Sequence, residues 1–143
     1  MTFSTLTFSR RETIALGLGA ATVALLPIPA MATTDEAIAA FTGGADVADG
    51  GISLNAPEIA ENGNTVPIEF TADGASAVML LATGNPNPDV GTFNFGPLAG
   101  SRTASTRIRL AKTQDVVAIA KMEDGSFTRT SATIKVTIGG CGG

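Results

Sequence analysis

The sequence predicts an all-β antiparallel sandwich with a short N-terminal helix and a flexible C-terminal glycine-cysteine arm. Three observations carry this. Short runs with two-residue alternation recur between turn signals. One helix signature stands alone ahead of them. The chain ends in Gly139-Gly140-Cys141-Gly142-Gly143.

A leader comes first. Ser9-Arg10-Arg11 forms a basic start, a moderately apolar run spans residues 14–28, and Ala30-Met31-Ala32 supplies small residues where signal peptidase cuts. The apolar run is shorter than the roughly 20 residues of a spanning helix. Paired arginines before such a run read as a twin-arginine export signal, with Arg10 and Arg11 as its signal residues and Thr13-Ile14-Ala15 replacing the usual Phe-Leu-Lys continuation. Residues 1–32 are therefore expected to be removed and the mature chain to reside in the periplasm.

The expected helix covers residues 33–44. Thr33 and Glu36 stand three apart as a capping box, Ile38 and Phe41 share a face, and Gly43-Gly44 stops it. The sandwich is expected over residues 45–138. Its strand candidates are 52–54, 65–70, 77–82, 91–95, 105–110, 115–122, 127–131 and 133–138. Asn62-Gly63, Asp73-Gly74 and Asp124-Gly125 read as turns, because glycine and asparagine tolerate positive φ. Pro67 pushes its strand towards an edge or a bulge, and Gly84-Asn85-Pro86-Asn87-Pro88 reads as an ordered loop. About seven short strands in this length suggest an immunoglobulin-like arrangement, without the Cys-Trp-Cys hallmark of antibody domains.

Residues 77–82 and 116–120 are apolar at both parities. One face of each belongs in the core, and the other needs a cover, since large bare apolar areas are rare on soluble monomers. The cover is either the N-terminal helix or a loop, or else a partner subunit. The small size of the mature chain favours the partner.

Composition narrows the function. The 143-residue chain has no histidine, tryptophan or tyrosine and a single cysteine. Ser-His-Asp or Cys-His catalysis and histidine metal sites are excluded. No catalytic residue, metal ligand or cofactor is expected. Without Arg10, Arg11 and Glu12, residues 33–143 carry 7 basic and 12 acidic side chains, a net charge of −5. That acidity gives no electrostatic reason to bind nucleic acid or an anionic membrane.

One cysteine cannot form an internal disulfide, so an unpaired thiol in an oxidising compartment needs another purpose. Gly139, Gly140, Gly142 and Gly143 make residues 139–143 thin and conformationally free, with a reach of about 17 Å from the last strand. Such an arm suits delivery of Cys141 into narrow clefts on other proteins. No basic residue lies within the tail to favour the thiolate. Two rival uses are a secreted structural sandwich cross-linked through its cysteine, and a sulfur donor carrying a thiocarboxylate on the terminal Gly-Gly.

The tail Val136-Thr137-Ile138-Gly139-Gly140-Cys141-Gly142-Gly143 resembles that of the SoxY family, substrate carriers of thiosulfate oxidation. The likeness extends through Ala56-Pro57-Glu58-Ile59-Ala60-Glu61-Asn62-Gly63, Asn85-Pro86-Asn87-Pro88, Gly96-Pro97-Leu98 and Ser105-Thr106-Arg107-Ile108-Arg109-Leu110-Ala111, and more loosely through residues 112–118. It implies a non-catalytic carrier that holds sulfur intermediates covalently on Cys141. It further implies a heterodimer with a SoxZ-like immunoglobulin-fold subunit. Transient visits by a haem-containing SoxXA-like protein, a SoxB-like hydrolase and SoxCD-like enzymes follow from the same likeness.

Overall fold

The computed structural model describes residues 33–140. The leader with Arg10 and Arg11, and Cys141, Gly142 and Gly143 at the other end, lie outside the described residues. Helix α1 spans Thr34–Thr42. Its capping box is complete: the Glu36 N–H donates to Thr33 Oγ1 at 3.3 Å, and the Thr33 N–H donates to Glu36 Oε2 at 2.8 Å. Gly43 closes the helix in the left-handed region at φ 65°, where a side chain would be strained. Nine residues are too few to hold a helix in water, so α1 depends on its packing against the sheet.

Among the described residues, nine strands come after it: β1 Val47–Asp49, β2 Ser53–Asn55, β3 Ile59–Asn62, β4 Val66–Thr71, β5 Ala75–Ala82, β6 Asp89–Asn94, β7 Thr103–Ile108, β8 Gln114–Met122 and β9 Phe127–Ile138. The larger sheet runs β1-β9-β8-β5-β6, with β3 also paired to β9, and the smaller runs β2-β4-β7. Together they form the expected immunoglobulin-like sandwich. Residues 127–131 and 133–138 are one strand rather than two, because Ala132 stays in the ladder opposite Val116.

The sequence gives no sign of β1 and β3. Both pair in parallel with β9, β1 along Phe127 to Arg129 and β3 along Lys135 to Ile138. Between them the chain crosses to the smaller sheet as β2. Pro67 lies in the middle strand of that sheet, yet β2 pairs only with Glu69, Phe70 and Thr71 of β4. At Pro67 the ladder continues on the β7 side alone, opposite Arg107. The strand is locally an edge there, as a residue lacking an N–H requires.

Val66, Ile68 and Phe70 of β4 face Val78, Leu80, Val116, Ala118 and Ile134 of the larger sheet across the core. Phe70 meets Phe93 edge to face, with ring centroids 5.1 Å apart. The opposite parity of β5 and β8 is equally dry: Met79, Leu81 and Ile119 are buried under Ala37, Ile38 and Phe41 of α1, with Val47 and Val117 at the margin. Phe41 also sets its ring against that of Phe127 at 5.9 Å. The doubly apolar strands therefore have their cover within the chain, contrary to the expected partner. Three such side chains, at about 2 kcal/mol each, account for a large share of a domain's stability of about 5–15 kcal/mol.

The turns at Gly74 (φ 75°), which carries the chain from the smaller sheet to the larger, and Gly125 (φ 86°), in the β8–β9 hairpin, use the positive φ that the sequence predicts. In the second, Asp124 Oδ1 accepts the Ser126 N–H and hydroxyl, which holds its carboxyl below the usual carboxylate range.

Candidate functional site: the root of the C-terminal arm

β9 delivers the chain end into a closed ring of backbone hydrogen bonds. The Gly63 N–H donates to the Ile138 carbonyl at 2.7 Å, extending the β3–β9 ladder by one residue. The Leu110 N–H donates to the Gly63 carbonyl at 2.7 Å, and the Gly140 N–H donates to the Leu110 carbonyl at 2.9 Å. Three chain segments are thus locked together at one end of the sandwich.

The ring has no room for side chains. A Cβ on Gly63 would overlap the Leu110 carbonyl oxygen and lie 2.7 Å from the Gly140 nitrogen. One on Gly139 would overlap the Ala111 carbonyl oxygen, and one on Gly140 would lie 2.9 Å from the Gly63 carbonyl oxygen. Each glycine is needed for close approach rather than for a turn. Gly63 does lie in a turn, in which Asn62 Oδ1 accepts the Asn64 N–H at 2.9 Å, but its φ is not positive.

The loop ahead of β6 supports the ring. Asn85 Oδ1 accepts the Ala111 N–H at 2.9 Å and the Gln114 Nε2–H at 2.8 Å, while Asn85 Nδ2 donates to the Arg109 carbonyl at 2.8 Å. Gln114 is buried, and its Oε1 accepts the Gly84 N–H at 2.7 Å. Nearby, the Val136 N–H donates to Thr113 Oγ1 at 3.0 Å. The Asn85-Pro86-Asn87-Pro88 loop is ordered because its first residue bonds to residues 109–114 in this way.

This places two of the predicted site residues. Gly139 and Gly140 do not belong to a free arm: they are packed and bonded to residues 63 and 110–111, and Gly140 is buried. The first two residues of the expected arm are therefore held, and the rest of it, Cys141, Gly142 and Gly143, lies outside the described residues. Gly63 and Leu110 join the site, although the sequence presents one as a turn residue and the other as the end of a strand.

The surroundings offer little else of a chemical kind. The ring consists of backbone groups, and the charges beside it are mixed, with Glu61 near Gly63 and Arg109 and Lys112 flanking Leu110 and Ala111. Among the described residues, no three acidic, histidine or cysteine side chains are grouped to hold a metal ion. No helix among them is long and apolar enough to cross a membrane. An open groove of about 630 Å³ lies on the smaller sheet, lined in part by Pro57, Pro67, Glu69, Ser105 and Arg107. It offers no thiol.

Fold and sequence define a class: an immunoglobulin-like sandwich in which a glycine-flanked cysteine follows directly on a packed pair of glycines. A family model for the sulfur oxidation protein SoxY matches residues 38–141, and the chain belongs to that family. Among solved structures it is similar to the sulfur carrier protein SoxY from Chlorobium limicola f thiosulfatophilum. That match has 34% identity and a TM-score of 0.65, over 73% of this chain and 96% of that one. The superoxide reductase (neelaredoxin) of Ignicoccus hospitalis shares the fold alone, at 16% identity and TM-score 0.54, over 73% of this chain and 93% of that one. No curated protein matches the chain by sequence.

Proposed function

We propose that this chain carries sulfur intermediates as covalent adducts of Cys141 and presents them to the enzymes of thiosulfate oxidation. Family membership supports a carrier role in sulfur oxidation. The observation that supports the finer reading is that the only cysteine of the chain follows, in sequence, directly on Gly140, a member of the backbone ring.

The chemistry proceeds on the carrier and is performed by visitors. A haem-containing SoxXA-like partner withdraws two electrons as the Cys141 sulfur bonds to the outer sulfur of thiosulfate. The thiol proton is released and a cysteine S-thiosulfonate forms. A SoxB-like hydrolase then adds water across the bond to the sulfonate group. Sulfate leaves, and the outer sulfur stays on Cys141 as a persulfide. A molybdenum- and haem-containing SoxCD-like partner, where present, oxidises that sulfur with oxygen from water, and a second hydrolysis returns the thiol and sulfate. The chain itself supplies attachment and presentation, not catalysis, and needs no resident cofactor.

A SoxZ-like subunit completes the reading as a heterodimer partner. Its docking face is not the outer side of β5 and β8, which α1 occupies. Export by the twin-arginine route through Arg10 and Arg11 places the carrier in the periplasm. Intact-mass measurement of the native protein tests the proposal. Additions of sulfur, sulfite or thiosulfate mass at Cys141 are expected. A disulfide-dimer mass as the main species indicates the cross-linked structural sandwich instead, and a modified Gly143 indicates the thiocarboxylate donor.

A further inference from the structure

We propose that Gly63 is a positioning residue for the carrier cysteine, clamping Gly139 and Gly140 so that the chain is held fast at the residue directly before Cys141. This rests on the carrier reading of Cys141. The ring of backbone bonds gives the reason. Gly63 contributes both an N–H, to Ile138, and a carbonyl, to Leu110, and Leu110 in turn receives Gly140. It is also the residue whose bare Cα lets Leu110 and Gly140 come so near.

The consequence is one of reach. A step between consecutive Cα atoms is about 3.8 Å. An arm free from Ile138 places the Cα of Cys141 up to about 11 Å from its root, across three steps. An arm rooted at Gly140 places it one step away. The thiol then leaves the sandwich from a narrow zone fixed by residues 63, 110 and 140, and an enzyme that takes it up meets it in nearly the same position each time. Positioning of a reacting group within about an ångström governs rates strongly, so a lost root shows in enzymatic loading and not in simple thiol chemistry.

Two variants of the full chain test this, with loading of Cys141 by thiosulfate and the partner enzymes followed by intact mass. Gly63→Ala cannot close the ring. The expected result is loss of hydrogen-exchange protection at the Gly140 N–H while the β5 and β8 amides stay protected. Labelling by iodoacetamide stays near the wild-type rate, and the kcat/KM of loading falls about tenfold. Insertion of two glycines between Gly140 and Cys141 leaves the ring intact and restores the three-step reach. It is expected to keep Gly140 protected and to lower loading by a similar factor. If Gly63→Ala also loses β5 and β8 protection, the insertion variant alone decides. Loading at the wild-type rate or faster in the insertion variant, or in a folded Gly63→Ala chain with Gly140 released, overturns the positioning role. A wild-type chain that is never loaded overturns the carrier reading instead, and the positioning role with it.

Discussion

Gln114 donates its side-chain N–H to Asn85 Oδ1 at 2.8 Å, and this bond joins the loop before β6 to the start of β8. The same oxygen accepts the Ala111 N–H, and the Asn85 amide nitrogen donates to Arg109. Asn85→Ala leaves three partners unsatisfied in a half-buried site, at roughly 1 kcal/mol each. The expected loss is about 2–3 kcal/mol, read as a fall in Tm of roughly 10 °C. A Tm within a degree or two of wild type would mean that water replaces Asn85 at no cost and that the loop is not what braces residues 109–111.

The two apolar faces of the larger sheet make a second test. Leu80 faces the sandwich core and Leu81 faces α1, and both are fully buried. Leu80→Ala and Leu81→Ala should therefore each destabilise the isolated chain by about 2–5 kcal/mol in urea unfolding. Leu81→Asp should unfold it, because a buried unpaired carboxylate is costly. A folded, stable Leu81→Asp monomer would mean that α1 is not a real cover and that a partner belongs on this face.

The sequence displays local physics well and remote contacts poorly. Thr33 and Glu36 announce α1 because a capping box is complete within four residues. The alternation in residues 133–138 announces β9 for the same kind of reason. β1 and β3 pair in parallel with β9, some 80 residues along the chain, and runs of three and four residues have no periodicity to show this. The cover over Leu81 and Ile119 is also remote. Ile38 and Phe41 are visible as one face of a helix, but nothing nearby states where that face lands. Glycine misleads in a particular way. By itself it signals freedom, and Gly139 and Gly140 read as the start of a loose arm. Only the distant Gly63 and Leu110 reveal that their bareness serves close packing.

Export supplies a third test. Twin-arginine transport moves folded cargo, so a partner docked in the cytoplasm would leave with this chain. Arg10→Lys combined with Arg11→Lys should strand both proteins in the cytoplasm, as followed by fractionation and immunodetection. Periplasmic carrier at the wild-type level would reject the twin-arginine assignment. A periplasmic partner beside a stranded carrier would reject shared export.

The last test separates the steric role of the arm from that of its root. Cys141→Ser is the reference: it keeps the size, removes the sulfur and should end all loading with Tm unchanged. Gly140→Val acts on the root. Even its Cβ would lie 2.9 Å from the Gly63 carbonyl oxygen and 3.2 Å from Asn64 Oδ1, so the ring must open or shift, at about 1–3 kcal/mol. Gly142→Val follows the ring in sequence and, on the proposed carrier reading, would thicken only the segment presented to partner enzymes. The Gly142→Val chain should therefore keep wild-type Tm, Gly140 exchange protection and iodoacetamide labelling, while turnover by the partner enzymes falls sharply. Gly140→Val should lose exchange protection as well as turnover. If Gly142→Val is turned over at the wild-type rate, the clefts accept a thicker arm, and the glycine beyond Cys141 acts only as a spacer.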